Sequence, residues 1–120
     1  MGTGHVPLFK GTIATSTTQY IGVPIHDNAI GIHIAWKDAT SSATITLEMS
    51  SINPEDAPVT TAGTWQWKDS GQTITGPAAS AAGSTLVNIE NVRQLRARLK
   101  IVTAANCVFE ICDGALKPWG

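Results

Sequence analysis

The chain has 120 residues, eight of them basic and nine acidic, for a net charge of −1 at neutral pH. That length favours one domain, large enough to bury about two thirds of its unfolded surface without staples. Charged residues make up only 14%, against about 25% in an ordinary soluble domain. The near-neutral balance argues against a dedicated nucleic-acid binder, which carries clustered positive charge.

The opening MGTGHVPLFKG has neither a charged n-region nor an apolar h-region, so no signal peptide is expected. No apolar run approaches the roughly 20 residues that cross a bilayer, so no membrane partner is expected. Residues 1 to about 8 read as a Gly-containing arm. TTQYIGVPI has β-branched and aromatic residues and stops at Pro24, and it predicts a strand. AIGIHIAW sets Ile30, Ile32, Ile34 and Trp36 on one face. ATITLEMS alternates Ile45, Leu47 and Met49 inward with Thr44, Thr46, Glu48 and Ser50 outward. KDATSS between these two runs predicts a hairpin loop. SINPEDAPVTTAG (Ser51 to Gly63) reads as a long loop. TWQWKDSG, with QTIT as a short continuation, reads as the next strand. GPAASAAGS reads as a flexible connection. STLVNIE, VRQLRARLKIVT and CVFEICDG complete the set, with TAAN as the expected hairpin turn between the last two. A tail from about 114 ends in Pro118-Trp119-Gly120. Short strands at intervals of about 8–12 residues predict an all-β fold, an antiparallel sandwich of jelly-roll type with about eight strands, formed by residues 1–120 as a single domain.

Cys107 and Cys112 have odd separation, so on one strand they face opposite ways and lie roughly 16 Å apart. A bridge needs Cα atoms within about 7 Å, so two free thiols are expected. His5, His26 and His33 converge with no cysteine or carboxylate partner in sequence, and no metal site is expected. No nucleophile elbow, phosphate loop or carboxylate pair of telling spacing occurs. Neither a cofactor nor enzyme activity is expected.

Two constellations remain. Trp65 and Trp67 share a face if their segment is a strand, which makes them either a candidate glycan platform or large apolar core residues, with a core place expected for at least one. Arg96, Arg98 and Lys100 alternate with apolar residues and form a basic stripe. Glu110 on the expected hairpin partner and Glu48 on ATITLEMS could pair with it across strands, at roughly 0.2–1 kcal/mol per pair. Alternatively the stripe meets another subunit, where planar Arg groups take carboxylates bidentately. Aromatics do not interleave it and the other lysines are scattered, so nucleic acid is not the expected partner.

ATITLEMSS, a Trp-bearing segment, LVNIENV and then RLKIVTAAN with one final strand resemble the small β-sandwich structural proteins of tailed bacteriophage virions. The resemblance rests on Leu47, Glu48 and Ser50, on Trp65 or Trp67, on turn residues Asn88 and Asn91, and on Arg98 and Lys100, and it covers roughly residues 30–113. The loop after Ser51 lacks the Asn-Asp-Gly turn of the group. The resemblance implies a structural virion protein, assembled in the host bacterial cytoplasm, whose partners are the major capsid protein or other virion proteins. A capsid decoration (cement) protein, acting as a homo-oligomer with a trimer as the first expectation, is the leading reading. Its candidate protein contacts are Arg96, Arg98, Lys100 and Trp119. A carbohydrate-binding β-sandwich module on Trp65 and Trp67 is the alternative.

Overall fold

Alternating apolar residues make strands that are greasy on one face, and such strands must stack in two layers to bury that face. The structure, a computed structural model, describes residues 6–23, 29–39, 42–60, 65–78, 82–89, 96–103 and 106–115. Among these residues are eight strands: β1 (Val6–Ile13), β2 (Thr18–Val23), β3 (Ala29–Lys37), β4 (Ala43–Ser50), β5 (Lys68–Asp69), β6 (Gly83–Asn88), β7 (Arg96–Thr103) and β8 (Cys107–Ala115). Among the described residues there is no helix.

The strands form two four-stranded sheets with orders β1-β8-β3-β6 and β2-β7-β4-β5, and every pairing is antiparallel. The first strand pairs with the last, the second with the seventh, the third with the sixth and the fourth with the fifth. That is one long hairpin rolled up on itself, the topology of a jelly roll. The all-β sandwich read from the sequence is the observed fold.

Inward side chains of the two sheets meet in one core. Ile32, Ile34 and Trp36 of β3 and Phe109 and Ile111 of β8 belong to one sheet, Ile45 and Leu47 of β4 and Leu99 and Ile101 of β7 to the other, and all are buried in a single cluster. At about 25 cal/mol per Å2 of apolar area, this burial is the main favourable contribution to the fold.

Several local expectations are corrected. Neither KDATSS nor TAAN makes a hairpin, because β3 and β4, and likewise β7 and β8, lie in different sheets. A strand pattern with one apolar face fits a turn back in the same sheet and a crossing to the opposite one equally well, so sequence alternation could not choose. Asp38 in the first connection takes φ 55°, as does Ser16 (φ 53°) between β1 and β2. Asp and Asn tolerate this left-handed region better than most residues. The β7–β8 crossing is tied to the β1–β2 turn: Asn106 Oδ1 accepts from the Thr15 N–H at 2.9 Å, and the Thr103 hydroxyl donates to Ala14 O at 2.6 Å. β1 occupies residues 6–8, where the sequence predicts an arm. Pro7, Lys10 and Gly11 hid it, and the strand absorbs them with a register shift between Pro7 and Phe9. QTIT is not a strand, β5 is only two residues long, and Asn88 ends β6 instead of making a turn.

Candidate functional site: a pinned loop beside an exposed tryptophan

The basic stripe lies on the outer face of the second sheet, yet it is not an open surface. Register sets Gly22, Arg98, Glu48 and Asp69 side by side across β2, β7, β4 and β5. Residues 51–60 fold over this end of the sheet and enclose it. Arg98 is only 1% exposed and Glu48 6%. The Arg98 Nε–H donates to Glu48 Oε1 at 2.8 Å, so the buried charge has its counter-charge one strand away. Its Nη1 donates to Val59 O at 2.6 Å. The rings of Tyr20 and Trp67 flank the guanidinium, at 4.1 and 4.3 Å to their centroids. Cation–π contacts contribute about 2 kcal/mol when desolvated as these are.

Arg96, two residues earlier and half-buried, works on the same loop. Its Nη1 donates to Ile52 O and to Ala57 O, both at 2.8 Å, and its guanidinium lies 5.0 Å from the Trp67 ring. Within the loop, Asn53 O accepts from the N–H groups of Asp56 and Ala57 at 3.0 and 2.9 Å. Ser50 Oγ accepts from the Ile52 N–H at 3.1 Å. Gln66 Nε2 donates to Asp56 O at 2.7 Å and ties the tryptophan segment to the loop. A turn that would otherwise be slack is thus held at four of its carbonyls by side chains from the sheet and the next segment. The Val59 side chain lies over Gly22, where a Cβ would meet its methyl in ordinary contact at 3.4 Å. Lys100 stays half-buried in register with Tyr20 and Thr46. Glu110 belongs to the other sheet and pairs with Lys10 at 3.7 Å on exposed surface. The cross-strand partner of the stripe is therefore Glu48.

The structure separates the two tryptophans. Trp67 is 2% exposed and Trp65 80%, because the segment 65–67 is a bend and not a strand, so spacing by two no longer means one face. The Trp67 indole N–H is buried without a hydrogen-bond partner. Trp67 is therefore held by its ring, as the stacking surface for both arginines. Trp65 stands in water next to the pinned loop, whose Pro54, Glu55, Asp56 and Pro58 are also exposed. Tyr20 and the loop carbonyls were missing from the sequence reading.

The opposite sheet offers a different surface. Its outer face carries His33, exposed, and Leu86, 77% exposed. A shallow open depression of about 470 Å3 crosses β1, β8 and β3, lined by Lys10, Ala35, Lys37, Val108 and Glu110 among others. Cys107 and Cys112 are both free, Cys107 buried and Cys112 partly exposed. Burial pushes the Cys107 thiol pKa up, and the negative charge of Asp38 adds to it. Among the described residues no three His, Cys, Asp or Glu side chains cluster as a metal site would require. Trp119, His5 and His26 lie outside the described residues. No family model, curated protein or solved structure matches this chain.

Proposed function

We propose that this chain is a structural virion protein of a tailed bacteriophage, a decoration protein that cements the capsid through protein–protein contacts as a homo-oligomer. The observation that carries the reading is Trp65. An indole buries roughly 150–250 Å2 when enclosed, so a ring left 80% exposed holds back about 3–5 kcal/mol of burial energy at 25 cal/mol per Å2. An exposed aromatic beside a loop held by side-chain bonds is the kind of anchor from which interface hot spots are made. Jelly rolls serve in viral capsid and lectin domains, which supports the reading by analogy of fold alone. Many copies of such a contact across capsid joints stabilise the shell by mass action. In this reading Arg96 and Arg98 act indirectly, by fixing the loop beside Trp65, and the partner is the major capsid protein.

A second reading uses the same ring. Trp65, with the carboxylates of Glu55 and Asp56 exposed on the adjoining loop, suits a sugar face stacked on indole, with hydroxyls donating to acids. One pair of experiments decides. Gold-labelled antibody against this chain, viewed on purified virions of the phage that encodes it, should mark the head. Wild-type protein should bind capsids stripped of it, and Trp65→Ala should weaken that binding roughly a hundredfold. Unlabelled virions overturn the structural reading. Saturable quenching of Trp fluorescence by an oligosaccharide, lost in Trp65→Ala, would establish the second.

A further inference from the structure

An edge strand is a row of unpaired N–H and C=O groups that templates association unless it is blunted. Three of the four sheet edges here are blunted. β1 carries Pro7, which has no N–H, a register shift between Pro7 and Phe9, and the charge of Lys10. β5 is two charged residues long, and the chain beyond it stays on β4: the Ser70 N–H bonds Leu47 O at 2.8 Å and the Ala43 N–H bonds Pro77 O at 3.2 Å. β6 is closed at Asn88 by the Gln72 carboxamide, which accepts from the Asn88 N–H at 3.1 Å and donates to Asn88 O at 2.7 Å, as a strand would. β2 has none of these devices. TQYIGV contains no proline and no charge, its register is regular over all six residues, and no strand of the described residues lies beyond it.

The ladder says which groups that edge offers. The Thr103 N–H bonds Thr17 O at 3.0 Å, so this is a hydrogen-bonded pair. Alternation then gives Gln19, Ile21 and Val23 to the bonds with β7. Thr18, Tyr20 and Gly22 point their N–H and C=O groups the other way. Ile21 and Val23 are buried in the core, so the strand is firmly seated.

We propose that β2 pairs antiparallel with β2 of a second copy, joining two four-stranded sheets into one of eight. Pairing of a strand with itself is two-fold by construction. Centred on Tyr20, it sets Tyr20 opposite Tyr20 of the second copy and Thr18 opposite its Gly22, so every outward group finds a partner and no like charges meet. β1 paired with itself would bring two Lys10 side chains onto one edge. The result is a dimer in place of the trimer expected from sequence. The inference stands apart from the virion reading, because a protein absent from virions would still dimerise.

Sedimentation equilibrium at micromolar concentration tests it. The wild type should be a dimer. Thr18→Pro removes an outward N–H that the ladder to β7 does not use, so the fold survives, while dimer dissociation should become roughly a hundredfold easier. Ser84→Pro, at an outward position of the β6 edge, should leave the dimer unchanged. Amide hydrogen exchange on the wild type provides a readout without any variant: Thr18, Tyr20 and Gly22 should gain protection as the dimer forms. A monomer at all concentrations overturns the proposal and leaves the edge to a strand of another protein. A dimer whose three amides exchange at open-edge rates overturns it too.

Discussion

Replacing Arg98 by Met tests whether the clamp is as important as its burial suggests. Methionine keeps much of the volume between Tyr20 and Trp67 and removes the charge. Glu48, 6% exposed, then becomes a buried carboxylate without its counter-charge. Breaking a buried pair from one side costs about 3–5 kcal/mol, and Val59 O loses its donor as well. The pair is nearly enclosed, with side chains 1% and 8% exposed, so little of this cost is screened by solvent. With a slope of about 2 kcal/mol per M, the urea midpoint should fall by about 1.5–2.5 M. Glu48→Leu alone should cost a similar amount, since it strands the cation. The double change removes both charges and should cost far less than the two singles together, a coupling of at least about 2 kcal/mol. Urea unfolding followed by tryptophan fluorescence measures all three, with the ring of Trp67 in the clamp as reporter. A loss under about 1 kcal/mol for Arg98→Met, or additivity in the double variant, would refute the account of the clamp.

Trp67→Phe should cost less than about 1.5 kcal/mol, because the indole N–H has no bond to lose and a ring remains, whereas Trp67→Ala should cost about 3–5 kcal/mol by cavity and lost stacking; chemical denaturation of both decides, and near-equal losses would mean the ring is not what matters. Gly76→Ala should destabilise by about 1–3 kcal/mol, since its Cβ would lie 2.5 Å from Ala43 O, and an unchanged midpoint would contradict that close approach. In native protein at mildly alkaline pH, Ellman's reagent should modify one thiol quickly, the partly exposed Cys112. Cys107 should react only on unfolding, because its raised pKa leaves less thiolate and its burial denies access; two fast thiols would show the strand register to be wrong.

The strands with regular alternation were legible: ATITLEMS became β4 residue for residue, and the two cysteines fell on one strand. What alternation cannot encode is the partner of a strand. β7 and β8 were read as neighbours, and with them Glu110 as a neighbour of the stripe, because a short polar link is as compatible with a turn as with a crossing to the other sheet. β1 was missed because Pro, Lys and Gly at an edge discourage pairing with a further strand, and the same residues weaken a strand signal. Of the two tryptophans at least one was expected in the core, and Trp67 is there; which one, spacing could not say, because a bend at 65–67 sets them in opposite environments.

The stripe misled in a more instructive way. Period two separates the faces of a strand but does not say which face is wet, because the outer face of a sheet becomes interior wherever a loop lies on it. Arg96 and Arg98 lie under such a loop. Apolar side chains at these positions would fill the space, and replacing buried ion pairs by packed hydrophobes is often neutral or stabilising, so net stability alone does not explain the guanidinium groups. A leucine, however, cannot donate. Ile52 O, Ala57 O and Val59 O each receive a bond from an arginine, and a loop pressed onto an apolar surface would leave those carbonyls without donors at about 1–3 kcal/mol each if dry. Arginine supplies several donors in one rigid plane and tolerates aromatic rings on its faces. The same two side chains therefore fix the path of the loop and stack on Trp67, two residues from the exposed ring of Trp65. The polarity of the stripe is directed inward at backbone, and what this end of the sheet presents to solvent is the loop it holds and the tryptophan beside it.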